Sequence, residues 1–239
     1  YYVDNHGDIQ LLQQIYTTTD RQWASIDEIP EDLIHAAVAI EDKRFYEHQG
    51  VDWITTMKAC LNMFFGGDEQ FGGSTITQQF IKNHTGEKSV TVQRKVMEIF
   101  RAQIFEREYD KDLIMEYYLN EIYLGRGCYG VKSAAAEYFG KELRNLTHKV
   151  QAVECGLCQN HCKLTITTER RNLTTAECAS LISITNNPSL FNPYSESVYM
   201  YKGEERDGAG RNRYRQLNVL SEMLDQGYLT QEEYDAAVA

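Results

Sequence analysis

The sequence predicts a mainly helical domain, and three observations favour this fold class. The chain has 239 residues but only three prolines, and proline is the residue that most strongly interrupts helices. Long segments carry apolar residues at intervals of three and four, the spacing of one helix face. Several of these segments begin with a capping residue or end at a glycine. The length allows one large domain or two small lobes.

The first elements are a hairpin and a short apolar helix. In YYVDNHGDIQLLQQIY a turn signal at residues 5–8 separates two apolar or aromatic runs, which predicts a β-hairpin within residues 1–24. The apolar run at 33–40 predicts a helix that ends in the charged segment EDKRFYEH. Charge runs of this kind usually mark a solvated surface. Residues 25–239 are then predicted to form the main domain.

Two glycines followed by Ser74 predict a tight loop that leads into a helix within GGSTITQQFIKN. Ser74 is a suitable N-cap, and Gln78 lies three residues after Thr75 in capping-box spacing. The free backbone N–H groups and the dipole at such a helix start favour an anion. Lys82, two turns further on, could add a positive charge. An ordinary capped helix is the alternative.

The segment EKSVTVQRKVMEIFRAQIFERE predicts the next helix, with Ser89 as its N-cap. Arg94, Glu98 and Arg101 share one face of it. The ordinary interpretation of that face is an exposed row of ion pairs. The opposite face is an apolar stripe, formed by Val92, Val96, Ile99, Phe100 and Ile104.

Three further helices complete the prediction. DKDLIMEYYLNEIYLG is expected to end at Gly125, and GVKSAAAEYFG at Gly140. LTQEEYDAAVA opens with Thr230 and Glu233 in capping-box spacing.

Composition excludes several classes of protein. The formal net charge is -11, so a nucleic-acid partner, which needs a basic surface, is not expected. An anionic ligand would have to be held by a local cluster of cations. No run approaches the 18 or more apolar residues of a membrane-spanning helix, and residues 1–20 lack the pattern of a signal peptide.

Five segments together resemble glycosyltransferase family 51, the peptidoglycan glycosyltransferase domain of class A penicillin-binding proteins. They follow one another in the family's order: EDKRFYEHQGVD, GGSTITQQFIKN, RKVMEI, KDLIMEYYLNEIYLG and GVKSAAAEYFGK. The resemblance implies a lysozyme-like large lobe, a smaller membrane-proximal lobe and a long cleft between them. It also implies polymerisation of lipid II, with inversion at the anomeric carbon and release of undecaprenyl pyrophosphate.

The resemblance places Glu41 and Glu98 at the family's two catalytic glutamates. A sugar hydroxyl needs a base to accept its proton, and Glu41 suits that role. Glu98 is expected to orient cations, or a divalent ion such as Mg²⁺ or Mn²⁺, at the pyrophosphate. His48 is expected to have a structural hydrogen-bonding role. The substrate-binding positions implied by the motifs are Asp42, Phe45, His48, Gly73, Ser74, Thr75, Gln78, Gln79, Lys82, Asn83, Arg94 and Lys95.

The expected partners are lipid II, the growing glycan strand, the bacterial cytoplasmic membrane and a transpeptidase domain in the same polypeptide. The domain would act on the extracytoplasmic face, anchored by a segment outside this chain. Residues 54–67, with Ile54, Met57 and several further apolar side chains, match the family's membrane-facing region. Packing into the core is an equally good interpretation of that stripe.

Residues 148–172 depart from the family as a cysteine-rich insertion between two copies of RNLT. Cys155, Cys158, His161 and Cys162 have the spacing of zinc ligands, with Cys178 as a further candidate. A second C-x-x-C pair is missing, so we favour an unstructured or disulfide-closed loop.

Two other functions fit parts of the sequence. A lysozyme-like muralytic hydrolase or lytic transglycosylase would explain a helical fold with a glutamate, but not the predicted anion site and cation cluster. An inactive scaffold module would be the result if the insertion had abolished activity.

Overall fold

The computed structural model describes residues 2–3, 9–10, 20–58, 73–86, 91–143 and 173–239. These residues form a mainly helical protein, as predicted. The helices are α1 (Glu31–Glu41), α2 (Ile76–Thr85), α3 (Val92–Glu108), α4 (Lys111–Glu121), α5 (Val131–Phe139), α6 (Thr175–Thr185), α7 (Pro188–Phe191), α8 (Gly208–Asp225) and α9 (Gln231–Val238). Residues 53–58 are helical as well. Within the described residues, none of the helices combines the length and apolar character that a membrane crossing requires.

Three small sheets accompany the helices in the described part of the chain. Strands β1 (Tyr2–Val3) and β2 (Ile9–Gln10) pair antiparallel, which confirms the predicted hairpin. The predicted turn at residues 5–8 lies outside the described residues. Strand β3 (Asp20–Arg21) pairs in parallel with β4 (Cys128–Tyr129), next to the predicted domain boundary at residue 24. A second hairpin, β5 (Tyr199–Tyr201) with β6 (Glu204–Arg206), was not predicted.

The helices pack in two groups. In the first group, α6 packs against both α1 and α8, and fully buried Leu33, Ala37 and Leu181 belong to the hydrophobic core that the two groups share. In the second group, α2 packs against α3 and α4. The carboxyl end of α1 and the amino end of α2 meet between the groups, and this meeting point positions the site.

Some predicted helix ends are confirmed and others are wrong. Helix α5 ends at Gly140, whose φ of 61° is the left-handed conformation that glycine tolerates. Helix α9 begins with the expected capping box of Thr230 and Glu233. Helix α4, however, ends at Glu121 instead of Gly125. Beyond it the chain turns back, so that the Gly130 N–H donates to the Ile122 carbonyl.

The starts of α2 and α3 are shifted from the prediction. The N-cap of α2 is Thr75 instead of Ser74, and Thr75 and Gln78 form the predicted capping box. The N-cap of α3 is Thr91, and the predicted cap Ser89 lies outside the described residues. Both helices use the threonine whose hydroxyl can accept the N–H of the third helical residue.

Helix α3 buries part of its polar face and exposes its apolar face, the reverse of an ordinary amphipathic helix. Glu98 and Ala102 are its buried residues, so the ordinary interpretation of this face as an exposed row of ion pairs does not hold. Val92 is 82% exposed, Phe100 56% and Ile104 59%. The polar side faces inward because Glu98 forms ion pairs there with Arg94 and Lys95.

Candidate active site

A cleft of about 1940 Å³ opens at the junction of the two helix groups. Its lining includes eight lysines or arginines and five aspartates or glutamates, so it carries a positive balance in a protein of net charge -11. Such a local excess of cations favours an anionic ligand. Of the predicted site residues, the cleft is lined by Glu41, Asp42, Gly73, Ser74, Thr75, Gln79, Lys82, Asn83 and Arg94.

Glu41, the last residue of α1, points its carboxylate into the cleft and is held there by three donors. Its Oε1 accepts hydrogen bonds from the Thr185 hydroxyl at 2.9 Å and from Arg215 Nη2 at 3.4 Å. Its Oε2 accepts one from Gln79 Nε2 at 3.0 Å. A carboxylate oxygen accepts about two hydrogen bonds, so Oε2 is the oxygen with capacity left for a substrate proton.

The sequence predicted that the start of α2 binds an anionic ligand through its backbone N–H groups. In the structure the Asp42 carboxylate lies at this position. One oxygen of its buried carboxylate accepts the Ile76 N–H at 3.0 Å. The same carboxylate contacts His48 Nε2 at 3.0 and 3.1 Å. The Gln78 N–H is taken by the Thr75 hydroxyl. The prediction of free backbone donors at this helix start is therefore wrong at these two positions.

Two predicted substrate-binding residues, Phe45 and His48, do not line the cleft. They are buried and pack beneath the segment that carries Glu41. Phe45 is fully buried, with Lys111 Nζ 4.4 Å from its ring centre. His48 is largely buried against Asp42, a contact of the structural kind that the sequence suggested. The substrate contact expected of Phe45 is excluded by its burial.

Asp52 fixes the far end of this segment. Its carboxylate pairs with the Arg44 guanidinium and accepts hydrogen bonds from the Thr55 hydroxyl and N–H. Burial alone would raise the pKa of Asp52, but the bonds from Arg44 and Thr55 outweigh it and lower that pKa to about 2. Both Arg44 and Asp52 line the cleft.

Glu98 lies beneath the cleft with only 5% of its side chain exposed. Arg94 Nη1 lies 2.6 Å from its Oε2, and Lys95 Nζ lies 2.5 Å from its Oε1. Lys95 Nζ also donates to the Ser74 hydroxyl at 2.8 Å and contacts Gln78 Oε1 at 3.4 Å. Arg94 itself reaches the cleft lining, whereas Glu98, Lys95 and Gln78 stand behind it.

This arrangement does not provide a protein-built metal site in the described part of the chain. No group of three or more histidine, cysteine, aspartate or glutamate side chains comes together among those residues, and each oxygen of Glu98 faces a cation. The predicted zinc ligands at 155–162 lie outside the described residues. Cys178 is fully buried in α6 as a core residue.

Sequence reasoning missed several residues that surround Glu41 from distant parts of the chain. Thr185, at the end of α6, and Arg215, in α8, reach Glu41 from 144 and 174 residues along the chain. Tyr118 of α4 also lines the cleft. No local pattern marks Thr185 and Arg215, because only the packing of α1 against α6 and α8 brings them to the site.

Comparisons with known proteins agree with this geometry. The family model described as Transglycosylase matches residues 8–223. Penicillin-binding protein 1A of Aquifex aeolicus (strain VF5) is 37% identical over 91% of this chain and 25% of its own length. Penicillin-binding protein 1A of Escherichia coli (strain K12) is 37% identical over 96% of this chain and 22% of its own length. Penicillin-binding protein 1F of Bacillus subtilis (strain 168) is 34% identical over 97% of this chain and 26% of its own length.

The chain belongs to the transglycosylase family, whose members carry out glycosyl transfer. This confirms the resemblance inferred from the five sequence motifs. The chain spans about a quarter of the length of the three relatives it matches.

Proposed function

We propose that this domain is a peptidoglycan glycosyltransferase that polymerises lipid II by inverting glycosyl transfer. One observation carries the proposal: Glu41 presents an oxygen with free acceptor capacity to a cleft in which the cationic lining residues outnumber the anionic ones. This combination suits a reaction in which a hydroxyl loses a proton and a pyrophosphate leaves.

In the proposed reaction, Glu41 Oε2 takes the proton of the 4-hydroxyl of the acceptor's terminal N-acetylglucosamine. The hydroxyl oxygen attacks the anomeric carbon of the donor's N-acetylmuramic acid, and the bond to the lipid pyrophosphate breaks. Attack from the side opposite the leaving group converts the α configuration to β. The three donors on Glu41 keep the carboxylate in one orientation, which reduces the entropy cost of the step.

Cations at the cleft would stabilise the negative charge that grows on the pyrophosphate. Lys82 and Arg94 are the predicted cations that line the cleft directly. Lys95 is held behind them by Ser74 and Glu98. The predicted role of Glu98 is thus to orient cations, and the divalent ion expected at the pyrophosphate remains a prediction.

The proposed donor is lipid-linked, and the described surface offers apolar groups to a membrane. Ile54 and Met57 are 54% and 62% exposed, which favours the membrane-facing interpretation over core packing for these two residues. The exposed stripe of α3 adds further apolar surface. Action on the extracytoplasmic face of the bacterial cytoplasmic membrane, with a transpeptidase domain in the same polypeptide, is part of the same proposal.

The hydrolase alternative requires a second carboxyl group that can act as an acid. Glu98 does not offer one, because Arg94 and Lys95 hold its two oxygens. Replacement of the acid by cations is instead what a pyrophosphate leaving group allows.

The test is polymerisation of purified lipid II by the parent protein and by Glu41→Gln. This nearly isosteric change removes the basic oxygen, and loss of a positioned base typically costs about 100-fold to 10,000-fold in rate. Glu47→Gln, an exposed position of the same segment, is the matched control and should polymerise like the parent. Substantial turnover by Glu41→Gln would remove Glu41 from the role of base.

A further inference from the structure

A second, smaller pocket lies between the segment that follows α1 and the carboxyl-terminal half of α3. Its volume is about 420 Å³, which is within the range of small-molecule sites. Gly50 brings the segment against α3, since a Cβ atom on it would come within 2.6 Å of the Ala102 carbonyl. The described residues that line this pocket are Arg44, Glu47, His48, Gln49, Val51, Asp52, Trp53, Ile54, Gln103 and Arg107.

One positive charge of this pocket is available to a ligand. Arg44 is paired with Asp52, and these two residues also line the reaction cleft. Arg107 is exposed, and within the described part of the chain its guanidinium has no ion pair or hydrogen bond. A guanidinium with unused N–H donors is well suited to a phosphate group.

The net charge of the pocket limits which phosphate compound it favours. The Glu47 carboxylate is also exposed at the lining and balances the charge of Arg107. The pocket as a whole therefore favours a ligand that carries a phosphate but no net charge.

Apolar side chains surround the Arg107 guanidinium. Trp53 and Ile54 line the pocket and are both 54% exposed. On α3, Ile104 and Phe100 lie one and two turns before Arg107 and share its side of the helix; they are 59% and 56% exposed. An exposed tryptophan beside a cation and apolar side chains is typical of a surface at the boundary between lipid headgroups and acyl chains.

We propose that this pocket binds the headgroup of one phospholipid that has no net charge. Arg107 donates to the phosphate, and Trp53 and Ile54 contact the first carbons of the acyl chains. The Arg44–Asp52 pair, which lines both the pocket and the cleft, places this lipid next to the reaction site. The inference goes beyond the proposed reaction and rests only on its location at a membrane.

The experiment follows the fluorescence of Trp53. The chain has two tryptophans, so Trp23→Phe leaves Trp53 as the remaining one. Titration of this variant with dihexanoylphosphatidylcholine, below its critical micelle concentration, should shift the emission to shorter wavelength and reach saturation. Octyl glucoside, an amphiphile without a phosphate, and inorganic phosphate, which has no apolar tail, should not produce a saturating shift.

Arg107→Gln, added to Trp23→Phe, tests the phosphate contact. The Kd for dihexanoylphosphatidylcholine should rise by about 10-fold, the size expected for one lost hydrogen bond to a charged group. Arg126→Gln is the matched control, because it removes an exposed arginine that lines neither pocket. It should bind the lipid like its parent, and both variants should melt near the parent's temperature.

The outcomes are distinct from those of the proposed reaction, because no measurement in this experiment uses lipid II. Saturable lipid binding that weakens in Arg107→Gln and persists in Arg126→Gln would support the site. Equal binding by Arg107→Gln and its parent would overturn it. Saturation by octyl glucoside would reduce the pocket to a general apolar surface, and saturation by inorganic phosphate would replace the lipid by a free anion; either result would also overturn the proposal.

Discussion

Glu41 shows how far single residues of the site can be predicted from the sequence. Its position was predictable because an apolar run ends in a charged segment and because the surrounding motif resembles a known family. The donors Thr185 and Arg215 were not predictable, since they come from helices 144 and 174 residues away. Residue type and local spacing identify a reactive group, whereas the groups that orient it depend on tertiary packing.

Asp52 gives a prediction about pH at the scale of one residue. Its pKa in the folded protein, about 2, lies below the ordinary value of an aspartate in an unfolded chain, about 3.9. The ionised carboxylate therefore stabilises the fold above about pH 4, and this contribution disappears as the pH falls towards 2. We expect a loss of about 1–2 kcal/mol of unfolding free energy at this site between pH 5 and pH 2.

The measurement is denaturant unfolding of the parent and of Asp52→Asn across this range of pH. Asp52→Asn should be less stable at pH 6, and the difference should shrink as the pH approaches 2. Two stability curves that stay parallel between pH 5 and pH 2 would contradict the shifted pKa.

Helix α3 shows what periodicity can and cannot determine for an element. The spacing of its apolar and charged residues correctly separated the helix into two faces. It did not determine which face points inward, because both faces have the same period. The deciding factor is the ion-pair cluster around Glu98, in which Lys95 also donates to Ser74 and Gln78 at the start of α2.

We predict that the apolar stripe of α3 contributes little to folding and much to association with lipid. Phe100→Ser removes an exposed ring, so the unfolding free energy should change by no more than about 0.5 kcal/mol. Binding to phospholipid vesicles in a sedimentation assay should weaken, because less apolar surface is available to the lipid.

The control for this prediction is Phe45→Ser, at a fully buried position. It should destabilise the protein by about 3 kcal/mol or more. If Phe100→Ser were as damaging as Phe45→Ser, α3 would be packed and not exposed. Unchanged vesicle binding would instead show that this stripe does not contribute to lipid binding.

At the scale of the whole molecule, the cysteine-rich insertion departs from a chain that otherwise follows its family. The residues on both sides of it belong to the same core: Leu143 and Leu173 are 2% and 7% exposed. Lys141 Nζ lies 2.7 Å from the Glu177 carboxylate. The described residues on the two sides of the segment are thus held close together by contacts of their own.

We predict that a variant lacking residues 148–172 folds, melts near the parent's temperature and still polymerises lipid II. The flanking contacts remain, and a shorter surface connection changes the loop-closure entropy only slightly. Thermal unfolding and the polymerisation assay are the measurements, and zinc content should be determined on the parent protein. Loss of soluble folded protein would mean that the insertion packs into the core, and one zinc ion per chain would overturn our preference for a loop without metal.

The carboxylate of Asp42 joins the end of α1 to the first N–H of α2, and this bond has a consequence for hydrogen exchange. Ile76 is fully buried, so its amide proton can exchange with solvent only when this carboxylate releases it. Local opening of this kind has its own free energy, separate from global unfolding. The exchange rate of one amide therefore reports how often the start of α2 releases the carboxylate at the end of α1, and it can be followed without any substrate.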